Sequence, residues 1–323
     1  MTDTIARPPF DPELEAALLL AGGEIPTTLT LGMIPFMRET VVGGEDEVAE
    51  LLASRGFVSR DVTIEGHGGD EIVVSVVQKE GRTGTGPGFF HTHGGGMIVG
   101  NRWLGVDAFL DWAERFNGVI VTVEYRLAPE FPDPYPVEDC YAGLRWTADH
   151  AEELGIDSRR IVIAGGSAGG GLAAGTALLA RDRSGPALLG QMLLYPMLDD
   201  RDETVSTRQI DGVGLWDRGS NVLGWTALLG DRKGTDDVSI YAAPARATDL
   251  GGLPPAFIDC GSAEVFRDED VAYATRLWEA GVQAELHVWA GGFHAFEAFA
   301  PQSAVAQAML AARDSWMNRL LGA

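Results

Sequence analysis

The sequence predicts an α/β protein with a mostly parallel sheet and helices on both faces. Three observations carry that expectation. After Gly88, short β-branched runs alternate with longer stretches of helical composition, the pattern of repeated strand–helix units. The central run, Ile161-Val162-Ile163, is apolar at every position rather than at alternate ones, as a strand buried on both faces must be. Ahead of the alternation, Val58–Glu65 and Glu71–Gln78 are strand-like and joined by Gly66-His67-Gly68-Gly69-Asp70, which reads as an antiparallel hairpin.

In order, residues 1–10 carry Pro8 and Pro9 and are expected to be loosely held. Asp11-Pro12 starts a helix, with Asp at the N-cap and Pro at the first helical position, and Gly22-Gly23 ends it. A second apolar segment, Leu29–Glu39, carries Met33, Ile34, Phe36 and Met37, with Pro35 as a possible kink. Such a stripe is ordinarily core packing; here it is also a candidate pocket wall. Strands follow at Phe89–Thr92, Val119–Tyr125, Ile161–Ile163 and Leu188–Tyr195, with helices at Leu104–Phe116, Val137–Leu154 and from Leu172. Residues 199–236, with Trp216 and Trp225, break the rhythm and are too long for an ordinary connection. They read as an inserted helical cap, completed by about residues 1–45. The sheet resumes at Pro255–Cys260 and Ala284–Trp289, with helices at Asp268–Ala280 and Ser303–Leu321. With no repeat and no low-complexity linker, residues 1–323 read as one domain.

Composition narrows the function. A formal charge of −23 argues against nucleic acid and anionic membranes as partners, since both need basic patches. The two cysteines, Cys140 and Cys260, read as buried reduced thiols. No basic n-region with an apolar core opens the chain and no 18-residue apolar run occurs, so a cytoplasmic protein is expected.

The chemistry concentrates at Gly165-Gly166-Ser167-Ala168-Gly169, between the Ile161–Ile163 strand and the following helix. A strand turning this sharply into a helix exposes its apex hydroxyl above the helix N-terminus, where developing negative charge is favoured. Ser167 therefore reads as a nucleophile. The same residues fit a loose dinucleotide fingerprint, Gly169-x-Gly171-x-x-Ala174, but they sit past the turn and no ribose-binding acid is evident downstream. A phosphate loop is excluded because no Gly-Lys-Ser/Thr follows. No cofactor is expected.

A serine hydroxyl needs a base, a group that orients the base, and donors for the oxyanion. His93-Gly94-Gly95-Gly96 follows a strand, and its successive N–H groups can converge with that of Ala168 on one oxygen. His91-x-His93 also has the spacing of a metal pair on one strand face, yet His67, His150, His287 and His294 supply no further ligand spacing, so no metal is expected. His294, on a loop after the last strand, suits a general base, whereas His287 lies within the strand. The orienting acid is left among Asp259, Glu264, Asp268, Glu269 and Asp270.

His93–Gly96, Tyr125-Arg126-Leu127-Ala128-Pro129-Glu130, Gly-x-Ser-Ala-Gly-Gly and Phe293-His294, in that order, resemble the bacterial hormone-sensitive-lipase-like (family IV) esterases of the α/β-hydrolase superfamily. The similarity spans about residues 11–321. It implies hydrolysis of small, short-acyl carboxylic esters, a helical cap, no cofactor and frequently a homodimer. It further implies a triad of Ser167, Glu264 and His294, with an oxyanion hole of Gly94, Gly95 and Ala168. Met33, Phe36, Met37, Met97 and Trp216 are the pocket candidates, and Tyr125–Glu130 is support beneath the site. Two positions depart from the family pattern: Gly166 stands where Asp is frequent, and Glu264 where Asp is usual. The residues themselves favour Glu264 too. Asp259 lies inside its strand and is expected to point away from His294, while Asp268 suits a helix N-cap. An amidase or carbamate hydrolase would use the same triad. A binding protein is the third reading, since plant gibberellin receptors resemble this family but lack the catalytic histidine; His294 stands in its motif here.

Overall fold

The structure, a computed structural model, describes residues 5–21, 26–40 and 45–322. The first four residues and the Gly22-Gly23 helix stop lie outside the described residues. Eight strands form one sheet: β1 (Phe57–Glu65), β2 (Glu71–Lys79), β3 (Gly86–Thr92), β4 (Val119–Glu124), β5 (Ile156–Gly166), β6 (Gly190–Leu194), β7 (Ala256–Gly261) and β8 (Ala284–Trp289). Their spatial order is β1-β2-β4-β3-β5-β6-β7-β8. β2 runs antiparallel to both β1 and β4, and every other neighbouring pair is parallel.

Twelve α-helices occur among the described residues: α1 (Pro12–Ala21), α2 (Ile34–Thr40), α3 (Glu45–Ser54), α4 (Leu110–Arg115), α5 (Tyr135–Asp149), α6 (Ala151–Leu154), α7 (Ala168–Asp182), α8 (Val205–Gln209), α9 (Arg218–Leu229), α10 (Arg267–Glu279), α11 (Phe296–Phe299) and α12 (Ala304–Leu321). The period-2 geometry of the strands divides their side chains between two cores. Phe90, Val121, Ile163, Leu193 and Ile258 join one core with Leu144 of α5, Leu178 of α7 and Leu277 of α10. Phe89, Ile120, Val162, Met192 and Phe257, each one residue away, join the other with Trp112 of α4, Leu14 of α1 and Met317 of α12. This is why the central strands are apolar throughout. Both cysteines are buried and free. No described helix is long and apolar enough to cross a membrane.

Several boundaries differ from expectation for local reasons. Gly105, in the left-handed region at φ 88°, starts a 3-10 turn at Val106–Phe109, so only Leu110–Arg115 is α-helical. The 137–154 stretch breaks at His150 into α5 and α6. Pro35 lies in the first turn of α2, where a missing N–H costs nothing, and so kinks no helix. The core packing expected of the stripe at 33–37 is met only in part: Ile34 and Met37 face inward, whereas Met33 and Phe36 are 36 % and 64 % exposed. Ile34 and Met37 are three residues apart and share one face of α2. Thr27, Thr28 and Leu29 touch the 199–236 stretch directly. Asp217, the N-cap of α9, accepts Ser220 N–H at 2.8 Å and Thr28 Oγ1–H at 2.5 Å, and Leu29 N–H donates to Ser220 Oγ at 2.9 Å.

Candidate active site

Ser167 sits at the joint between β5 and α7 with φ 59° and ψ −125°, a backbone conformation that costs an ordinary L residue energy. Its surroundings fix it there. Its N–H donates to Leu194 O at 2.8 Å, and its carbonyl accepts from Met197 N–H at 2.9 Å and Gly171 N–H at 3.1 Å. A β-carbon on Gly165 would lie 2.4 Å from Gly169 O, so the turn cannot close this tightly with a side chain there.

Ser167, Glu264 and His294 come together across three separate loops. His294 Nε2 is 2.9 Å from Ser167 Oγ, and His294 Nδ1 is 3.2 Å from Glu264 Oε1. Glu264 Oε2 accepts Gly261 N–H at 2.7 Å, which fixes the carboxylate at the end of β7. A carboxylate can only accept, so Nδ1 carries the proton and Nε2 is left to accept from the serine hydroxyl. All three side chains are buried. Tyr195 and Phe266 both pack against the imidazole in T-shaped fashion, with ring centroids at 4.8 and 5.2 Å.

Three of the other four acids are engaged elsewhere, and the fourth is buried apart from His294. Asp259 forms a bidentate pair with Arg313 at 2.8 and 3.1 Å. Glu269 accepts the Leu198 and Asp199 N–H groups. Asp270 is buried on α10 with no hydrogen-bond partner. Asp268 does not cap its helix, because α10 begins one residue earlier, at Arg267; it instead accepts Ser206 N–H at 2.7 Å.

The glycine loop runs beside the serine. The β-position of Gly94 lies 3.5 Å from Ser167 Cβ. His93 Nδ1–H donates to Gly94 O at 2.8 Å, and because the two ends of a trans peptide point in opposite directions, Gly95 N–H is turned away from that imidazole. Tyr125 stacks on His93 at 4.0 Å and donates its hydroxyl to His93 O at 2.9 Å, so the Tyr125–Glu130 stretch props the loop from beneath. Burial lowers the pKa of His93 to about 3, keeping it neutral. His91 is lowered to about 3 as well, by burial and by its neighbour His93, and it pairs with Thr122 Oγ1 at 2.9 Å. No group of metal-ligating side chains occurs among the described residues.

Met37, Met97 and Trp216 are buried, and the Trp216 ring packs against Gly96, one residue from Gly95. Met33 and Phe36 do not join them.

The profile of a family described as α/β hydrolase fold matches residues 89–298. The chain belongs to that family, in its hormone-sensitive-lipase-like group. Carboxylesterase NlhH of Mycobacterium tuberculosis is 35 % identical over 286 residues, covering 88 % of this chain and 87 % of its own. A solved structure described as a bacterial heroin esterase is 39 % identical with a TM-score of 0.87, covering 97 % of this chain and 98 % of that one. Esterase LipW of Mycobacterium marinum is 31 % identical with a TM-score of 0.85, covering 98 % of each chain.

Sequence reasoning about this α/β hydrolase missed Tyr195 and Phe266, the two rings beside His294. One signal was available: Tyr195-Pro196 directly follows β6, at the sheet edge where this fold gathers its chemistry.

Proposed function

We propose that this carboxylic ester hydrolase is a serine esterase that passes through an acyl-enzyme on small, short-acyl substrates. The observation that carries the proposal is the unbroken contact from Ser167 Oγ through the His294 ring to Glu264, at 2.9 and 3.2 Å. In this reading His294 Nε2 takes the Ser167 proton as Oγ attacks the ester carbonyl carbon. The carbonyl oxygen gains negative charge and is held by the N–H groups of Gly94, Gly95 and Ala168, the last at the N-terminus of α7. Glu264 holds Nδ1–H and stabilises the imidazolium. Collapse expels the alcohol, which takes the proton from Nε2 and leaves the acyl group on Ser167. Water then repeats the attack, with Nε2 again as base, releasing the acid and restoring the serine.

Residues of about 1–45 and 199–236 are assigned to a cap over this centre. The contacts of Thr28 and Leu29 with the start of α9 support that, as does Trp216 against Gly96. Met37, Met97 and Trp216 are assigned to the pocket wall. Relatives named a heroin esterase and a carboxylesterase are in keeping with small ester substrates.

The test is a series of aryl esters of increasing acyl length, each with its anilide counterpart, on wild type and Ser167→Ala. Turnover is expected to be fastest on short esters and to fall by on the order of 10⁴–10⁶ in the variant, the scale of triad knockouts. Organophosphonate labelling is expected in wild type alone. Equal turnover or equal labelling of both proteins would remove Ser167 from the mechanism. Faster cleavage of the anilides would move the enzyme to amides.

A further inference from the structure

Two hydrogen bonds, to Ser167 and to Glu264, restrain the His294 imidazole along the line joining its nitrogens but leave its swing about that line free. Two rings packed against the imidazole limit that swing: Tyr195 at an interplanar angle of 71° and Phe266 at 77°. We propose that Tyr195 is a positioning residue for His294, held in that role by Glu297 and Arg313. The inference rests on the serine-esterase reading, in which His294 is the base.

Several contacts hold Tyr195. Its φ of 38° is disfavoured for a bulky L residue, so its neighbours must dictate it. Its N–H donates to Asp259 O at 2.6 Å, and its hydroxyl donates to Glu297 Oε1 at 2.6 Å. That same oxygen accepts Arg313 Nη1–H at 2.8 Å, and Arg313 Nε and Nη2 fork onto the Asp259 carboxylate. The links close into a loop, Tyr195–Glu297–Arg313–Asp259–Tyr195, drawn from the end of β6, α11, α12 and β7. The Arg313 guanidinium also lies 5.6 Å over the Tyr195 ring. Burial opposes ionisation of Glu297, but the Arg313 charge and the Tyr195 hydroxyl outweigh it and keep its pKa low. The acceptor therefore stays charged and grips the phenol strongly.

The contact of the ring with the nucleophile turn bears on a position that the motif left open. A β-carbon on Gly166 would come within 3.2 Å of Tyr195 Cε2 and 3.6 Å of its hydroxyl. A bare glycine lets the ring settle between the nucleophile turn and His294. A side chain at 166 would crowd the ring, which would have to give by a few tenths of an ångström.

Tyr195→Phe keeps the ring but loses its link to Glu297; Glu297→Gln keeps the shape but loses the charge. With a short aryl ester, each is expected to lower kcat about tenfold, the order for one charge-assisted hydrogen bond, with KM changed by no more than about twofold. The organophosphonate labelling rate is expected to fall in parallel with kcat, and the double variant to be no worse than the poorer single one, because both break the same link. Should Glu297→Gln fail to fold, Tyr195→Phe alone decides, since it leaves the Glu297–Arg313 pair intact. Wild-type kcat and labelling rate in Tyr195→Phe would overturn the proposal. A loss confined to melting temperature, or to KM, would do the same. If Ser167→Ala also stayed active, the esterase reading itself would be at fault.

Discussion

Gly169 presses so closely on Thr92 that a β-carbon there would lie 2.1 Å from the Thr92 carbonyl oxygen, while Thr92 Oγ1–H donates to Gly169 O at 2.7 Å. The first turn of α7 is thereby locked to the end of β3, the strand that leads into His93–Gly96. That contact brings the glycine loop alongside Ser167, and neither stretch can shift without the other.

Gly169→Ala must therefore separate α7 from β3. The expected cost is about 1–3 kcal/mol of stability, as for overpacking elsewhere, because the obstacle is backbone rather than a flexible side chain. Activity is expected to fall further than the folded fraction does, since the proposed oxyanion donors move relative to Ser167. Thermal melts and kcat measured below the melting range test this. A wild-type melting temperature would contradict the close approach.

Much of this was legible in the chain. The hairpin, the alternating strands and the serine joint are local patterns, written in residues that are neighbours in sequence. Ser167, His294 and Glu264 could be picked out because each follows a strand end, where an α/β sheet gathers its chemistry. The loop of Tyr195, Asp259, Glu297 and Arg313 was not legible, because ion pairs formed across 54 and 16 residues leave no periodic trace. The exposure of Met33 and Phe36 was not legible either: in a short turn and helix, four apolar residues among five cannot all face one side. Asp268 misled because a capping residue type at a helix start marks the N-cap only to within a residue or two.

Acid should act on the buried histidines. His91 and His93 are lowered to about 3 by burial, from an unfolded value of about 6.5. Below the unfolded value the unfolded chain takes up protons that the folded chain refuses. Stability is thus fully present above about pH 6.5 and falls toward pH 3, by up to about 1.4 kcal/mol per pH unit for each histidine. His91→Gln, which can still donate to Thr122, is expected to flatten the decline by about one histidine's share. Denaturant midpoints between pH 7 and 4 on both proteins give the comparison; parallel curves would mean that His91 titrates normally.

Asp270 has the opposite sign. Burial raises its pKa well above the ordinary carboxyl value, and the Glu264 and Glu269 charges add to the rise. The folded state keeps the proton that the unfolded state releases above about pH 4, so stability is lost as pH rises through the range between them. Asp270→Asn cannot ionise and is expected to be more stable than wild type, by a margin that widens from pH 5 to 8. A margin that stays constant over that range would show that the Asp270 carboxyl is already ionised in the fold.

Glu264 and Asp268 allow the proposed orientation of His294 to be separated from support of the scaffold. Glu264 holds His294 Nδ1 at 3.2 Å and is itself fixed by Gly261 N–H. Asp268, four residues on, pairs with Arg267 at 2.7 Å and accepts Ser206 N–H at the start of α8. Glu264→Gln keeps the length of the side chain, but its amide nitrogen can donate to Nδ1 and so favour the wrong tautomer. A fall in kcat of on the order of 10⁴ is expected, the size of the equivalent Asp→Asn change in a serine protease, with little change in melting temperature. Asp268→Asn keeps one acceptor for Ser206 but loses its charge against Arg267, and is expected to cost about 1 kcal/mol of stability with kcat nearly unchanged. Kinetics and melts on both variants decide between them. If Asp268→Asn abolished turnover while Glu264→Gln kept it, the acid assignment would be reversed even though Ser167 and His294 kept their roles.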